Sequence, residues 1–122
     1  MTKYSAQKTT IDGITFDSKA EAARYSQLKL LERAKVIKGL ACQPAYRLVV
    51  SGHEVCEYRG DFTYYEAGRL ICEDVKGFAT PMFRLKRKLF LALYPDVELR
   101  CVDKDGQLKP IRTRKASQRV AA

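Results

Sequence analysis

Asp61, Asp74 and Lys76 are the residues whose types and spacing point most directly to chemistry. They sit in Asp61-Phe-Thr-Tyr-Tyr-Glu-Ala-Gly-Arg-Leu-Ile-Cys-Glu-Asp74-Val-Lys76, which reads as two apolar-rich strands, 58–65 and 70–76, joined by a short turn through Ala67-Gly68. If Tyr65 faces Leu70, the register sets Asp61 opposite Asp74. Facing residues of an antiparallel pair have Cβ atoms about 4.5–5.5 Å apart, and like charges there are destabilising. A divalent cation bound between the two carboxylates removes that conflict. Lys76 lies two residues beyond Asp74, on the same strand face. Two facing acids beside a lysine suit metal-assisted hydrolysis, in which Lys76 holds the attacking water and stabilises charge building on the phosphate oxygens. An ordinary exposed ion pair is the plainer account of Asp74 and Lys76. A three-residue turn would shift the register by one and exchange Asp74 for Glu73 on that face.

The elements that must position these groups follow from turn and cap signals. Residues 9–16 form a small hairpin around Asp12-Gly13. Ser18 and Glu21 have capping-box spacing and open a helix whose apolar positions are Ala22, Tyr25 and Leu28, with Leu30 and Leu31; Gly39 follows its end. Gln43-Pro44 breaks the chain, 46–50 is a strand, and Ser51-Gly52 turns it. Gly77 ends the acidic strand. Thr80-Pro81 starts a second helix, running to Tyr94, with Met82, Leu85, Leu89 and Leu93 on its buried stripe and Arg84, Arg87 and Lys88 opposite. Pro95 stops it, and 97–102 is a last strand. The order hairpin-α-β-β-β-α-β predicts an α/β fold of the α+β kind, a mixed sheet flanked by helices.

The chain has 122 residues and a formal charge of +9. That length fits one domain, 1–102, followed by a basic tail, 103–122. Such a charge favours nucleic acid as partner. No apolar run is long enough to span a membrane, and the first residues lack the apolar core of a signal peptide, so a cytoplasmic location is expected. Cys42, Cys56, Cys72 and Cys101 form no CxxC pair and fall in or beside strands, as small buried hydrophobes do. Zinc ligation with the single histidine, His53, lacks the spacing of known zinc motifs. Tyr64 and Tyr65 offer stacking surface, although strand tyrosines are more often packed.

Phe16-Asp-Ser-Lys-Ala-Glu21-Ala-Ala-Arg-Tyr25, Gly60-Asp61-Phe62 and Glu73-Asp-Val-Lys-Gly77 together resemble the PD-(D/E)xK nucleases, in particular small phage-encoded endonucleases similar to enzymes that cut four-way (Holliday) DNA junctions. The resemblance covers 14–102. One departure is Gly60, where the family pattern has proline. The resemblance implies a restriction-endonuclease-like core and a Mg²⁺-dependent endodeoxyribonuclease, with Mn²⁺ as a substitute, acting on branched DNA in a bacterial host. It implies Glu21, Asp61, Asp74 and Lys76 as catalytic residues, and Asp61, Asp74, Glu21 and the Val75 carbonyl as metal ligands. Mg²⁺ takes one or two carboxylates plus waters and phosphate oxygens, which suits that set. Glu21 is equally what a capping box requires. Glu73, by strand alternation, belongs to the opposite face. Arg84, Lys86, Arg87 and Lys88, with Arg112, Arg114 and Lys115 of the tail, are the expected phosphate contacts. Junction-cutting relatives act as dimers, so a homodimer is expected. The rival readings are a non-catalytic, basic nucleic-acid-binding protein and an RNA-acting nuclease.

Overall fold

The computed structural model describes residues 7–75, 80–103 and 105–108. It opens with a hairpin of β1 (Thr9–Ile11) and β2 (Ile14–Phe16). Asp12 and Gly13 both have positive φ, 54° and 77°, the conformation whose twist matches a two-residue hairpin. The Ser18 hydroxyl then accepts the Glu21 N–H at 3.1 Å and caps α1 (Lys19–Arg33), which buries Ala22, Tyr25 and Leu28. The helix stops well before Gly39. Val36 N–H donates to the Leu31 carbonyl at 2.9 Å and Lys35 N–H to Glu32 at 3.0 Å, with Lys35 at φ 64°. That is a Schellman ending with lysine where glycine is usual, so the sequence signal for it was missing.

A strand that the sequence pattern did not suggest follows, β3 (Lys38–Cys42), and then β4 (Ala45–Val50) and β5 (His53–Arg59). The expected strand over 58–65 is two strands: β5 ends at Arg59, and β6 (Phe62–Glu66) begins beyond Gly60-Asp61. β7 (Arg69–Val75), α2 (Pro81–Leu93) and β8 (Val97–Val102) complete the order. The described order therefore carries two more strands than the sequence suggested. The architecture is mixed α+β, as expected.

One sheet has the order β3-β6-β7-β8, antiparallel except for β7 and β8, which run parallel across the α2 connection. β4 and β5 pair separately, yet they continue the β3 and β6 ribbon past a kink. At the kink Gln43, with φ 55°, donates its N–H to the Asp61 carbonyl at 2.8 Å, and Gly60 N–H donates to Pro44 at 3.0 Å. α1 packs on one face over Phe62, Tyr64 and Ile71, and α2 on the other with Leu48, Tyr58 and Cys72. The buried stripe of α2 keeps Leu89 of the expected one and otherwise differs. Phe90 is buried and Phe83 and Leu89 half-buried, whereas Met82 and Leu85 are 60% and 54% exposed. Past β8, Asp103 accepts the N–H groups of Asp105 and Gln107, and Leu108 bridges back to Val102. Neither described helix is long and apolar enough to cross a membrane.

Candidate active site

The hairpin of β6 and β7 sets the register that matters. Ala67 and Gly68 hold φ of 52° and 80°, a two-residue turn, and Tyr65 faces Leu70. The pairing continues to Phe62 and Glu73 and stops there. Asp61 is the next residue on one strand and Asp74 the next on the other. The Asp61 N–H donates to the Glu73 carbonyl at 3.0 Å. Its carboxylate Oδ2 accepts the Val75 N–H at 2.7 Å, taking the place a backbone carbonyl would fill if the ladder went on. The Asp61 carboxylate thus lies against the peptide that joins Asp74 to Val75. Two acids occupy adjacent positions on neighbouring strands, and the Val75 backbone is fixed between them.

Gly60 makes this kink sterically possible. A Cβ there would stand 2.5 Å from Cys72 Sγ, closer than side-chain atoms pack, with Pro44 Cγ in contact at 3.4 Å. A proline at this position would clash with the buried thiol. The departure from the family pattern therefore has a local cause in Cys72.

Asp74 and Glu73 are both fully buried, and they do different things. Glu73 faces α1: Arg24 donates Nε to Oε1 at 2.5 Å and Nη2 to Oε2 at 2.9 Å, and the Tyr64 hydroxyl donates at 2.5 Å. The bidentate pair raises the Arg24 pKa, and burial with the Glu73 hydrogen bond pushes the Tyr64 phenol up. A buried carboxylate needs such partners. Glu73 is thus structural, on the face opposite Asp74, as strand alternation predicts. Asp74 is paired in register with Cys101 of β8. Cys72, one alternation earlier on the Asp74 face, has its thiol pushed up to about 12 by burial, with the Asp61 charge adding to the shift.

Glu21 is half-buried in the first turn of α1. Its backbone serves the Ser18 cap, and Arg24, one turn later, is the residue clamped to Glu73. The clamp holds the start of α1 over β7, on the sheet face that Glu73 shares with Phe62 and Ile71 and opposite to that of Asp74. Arg24 was missed from sequence, as was the bond of Tyr64 to Glu73, although packing was the commoner expectation for a strand tyrosine. The available signal was an arginine adjoining the apolar stripe of Ala22, Tyr25 and Leu28, where a charge must find a buried partner.

The remaining expected residues divide. On α2, Arg84 and Lys88 are exposed, while Lys86 and Arg87 are half-buried beside the Phe83–Phe90 stripe. Lys76 lies outside the described residues, as do Arg112, Arg114 and Lys115. Among the described residues no group of three or more His, Cys, Asp or Glu is placed to hold a metal ion, so Glu21 does not join the two aspartates in such a cluster. Two carboxylates and a strand carbonyl are a hard-oxygen set of the size Mg²⁺ accepts, its other positions going to water and phosphate. Thiolate chemistry is disfavoured by the raised Cys72 pKa.

A family profile matches residues 1–109, which include all of the described residues. The chain belongs to the DUF1064 family. That family is described as a protein of unknown function. No curated protein matches this DUF1064 chain. The match ends one residue past Leu108, where the described chain folds back on β8.

Proposed function

We propose that this DUF1064 chain is a Mg²⁺-dependent endodeoxyribonuclease of the PD-(D/E)xK type, phage-derived and selective for branched DNA. The observation that carries the reading is the hydrogen bond from Val75 N–H to Asp61 Oδ2, which brings the two aspartates to neighbouring strands beside one peptide. In support, α1 is pinned over the acidic strand, and β7 and β8 are parallel across a helix, an arrangement compatible with a restriction-endonuclease-like core. In this reading Asp61 and Asp74 hold the ion, Val75 offers its carbonyl, and Glu21 assists from α1. Bound there, Mg²⁺ supplies charge neutralisation on the scissile phosphate and a more acidic water. Lys76 orients that water. Arg84 and Lys88, exposed on α2, bind phosphates and position the strand without reading its sequence.

Supercoiled plasmid, linear duplex, single strand and a four-way junction, each incubated with Mg²⁺ and with chelator, test the reading. Cleavage with Mg²⁺ alone, fastest on the junction, is expected. Binding without cleavage of any substrate would leave a non-catalytic DNA-binding protein in its place.

A further inference from the structure

At the other end of β6 from Asp61 lies an open depression of ≈ 640 Å³ bordered by Lys35, Val36, Lys38 and Tyr65. We propose that it is a stacking subsite for an unpaired base of a DNA strand. The proposal rests on the nucleic-acid reading above and deepens it. The two tyrosines of β6 have separate fates: Tyr64 is packed and bonded to Glu73, while Tyr65 is 49% exposed. The Tyr65 ring also has a glycine as its neighbour on β3. At Gly39 a Cβ would stand 3.5 Å from Tyr65 Cδ2, and φ is +66°. Glycine at this position leaves the ring edge uncovered by a side chain, and the half-exposed ring offers a face to a ligand.

The charges around the ring favour a phosphate-bearing ligand. Lys35 and Lys38 are exposed, and among the described residues neither is held in an ion pair. Among the described residues that line the depression the acid is Glu66, which is paired with Arg100 at 2.9 Å. An aromatic face with two available ammonium groups is how single strands are bound without sequence preference, the base on the ring and the backbone on the charges. Tyr65 faces Leu70, and Leu70, Cys72 and Asp74 alternate onto one strand face, so ring and acidic pair share that face. Tyr65 stands four positions along the chain from Asp61, about 13 Å, a span that a short single-stranded branch covers.

The test is anisotropy of labelled single-stranded DNA, the matching duplex, and a duplex bearing a single-stranded branch, all with chelator so that nothing is cut. Tyr65→Leu should weaken single-strand and branch binding by about 5- to 100-fold and change duplex binding little. Tyr65→Trp should restore it. Lys35→Ala and Lys38→Ala should each flatten the salt dependence of single-strand binding by roughly 0.7 in the log–log slope. Equal weakening on duplex and single strand, or none on either, would overturn the subsite. If Tyr65→Leu leaves single-strand affinity intact while the wild type cuts DNA, the subsite falls and the nuclease stands. If Tyr65→Leu lowers it selectively while the wild type cuts nothing, the nuclease falls and the subsite stands.

Discussion

Asp61→Asn separates charge from shape, because an amide oxygen can still accept the Val75 N–H and hold the kink. Only the ligand charge is removed. Cleavage of plasmid with Mg²⁺ should fall by orders of magnitude in Asp61→Asn and in Asp74→Asn, with DNA affinity in chelator kept or raised. A variant cutting at close to the wild-type rate would remove its aspartate from the site. Glu73 calls for a different experiment, since it is held by Arg24 and Tyr64 rather than aimed at substrate. Arg24→Met leaves a buried carboxylate short of its charge partner, a change that costs about 3–5 kcal/mol. Adding Glu73→Gln removes the orphaned charge and lets Tyr64 still donate, so the double variant should recover much of that stability in urea unfolding. Additive effects would mean that the pair is not coupled.

At the scale of elements, what the sequence revealed tracked how local the cause was. The Asp12-Gly13 and Ala67-Gly68 turns, the Ser18 cap and the Thr80 cap with Pro81 act within a few residues, and each stands where the spacing predicts. The Tyr65–Leu70 register followed from its turn, and with it the adjacency of Asp61 and Asp74. Three features depended on distant partners and were not legible. β3 contains Gly39 and a bulge, and it exists because β6 pairs with it. The break at Gly60 is set by Cys72 and Pro44. The α2 stripe was right at Leu89 but misassigned at Met82, Leu85 and Leu93, which recur at helical spacing as convincingly as Phe83 and Phe90, and only packing against Tyr58 and Tyr46 selects the latter. Phe90→Ala should therefore destabilise by about 3–5 kcal/mol, whereas Met82→Lys and Leu85→Lys should stay within about 0.5 kcal/mol. Equal effects in thermal unfolding would restore the other stripe. Ala67→Gly relieves a left-handed alanine and should stabilise by about 0.5–1 kcal/mol.

For the whole molecule, charge and protonation set how the fold and its DNA affinity respond to solution. Residues 109–122 contain five basic residues and no acidic one, so cutting after Leu108 lowers the formal charge from +9 to +4 while keeping the Val102–Leu108 bridge. Folding should survive, and the salt slope of duplex binding should flatten by about 0.9 for each phosphate no longer neutralised. An unchanged slope would show that those residues do not touch DNA. Alkaline pH acts on the core instead. Burial raises the Cys72 thiol from 9.0 to about 12, and burial with a hydrogen bond to Asp12 raises the Tyr25 phenol from 10.0 to about 12. Both groups hold their protons more tightly when folded. Below their unfolded values that stabilisation is fully present. Above them the unfolded chain ionises first, so stability falls until the folded groups titrate near 12. One unit above its unfolded value, Cys72 alone should lower stability by about 1.4 kcal/mol. Melting temperature should thus be level around neutrality and decline through the window between 9.0 and 12. Tyr25→Phe with Cys72→Ala lowers the starting stability but removes both titrations, so its decline should be shallower than that of the wild type. A wild-type melting temperature that stays level across this window would mean that neither group is sealed from water as the structure has it.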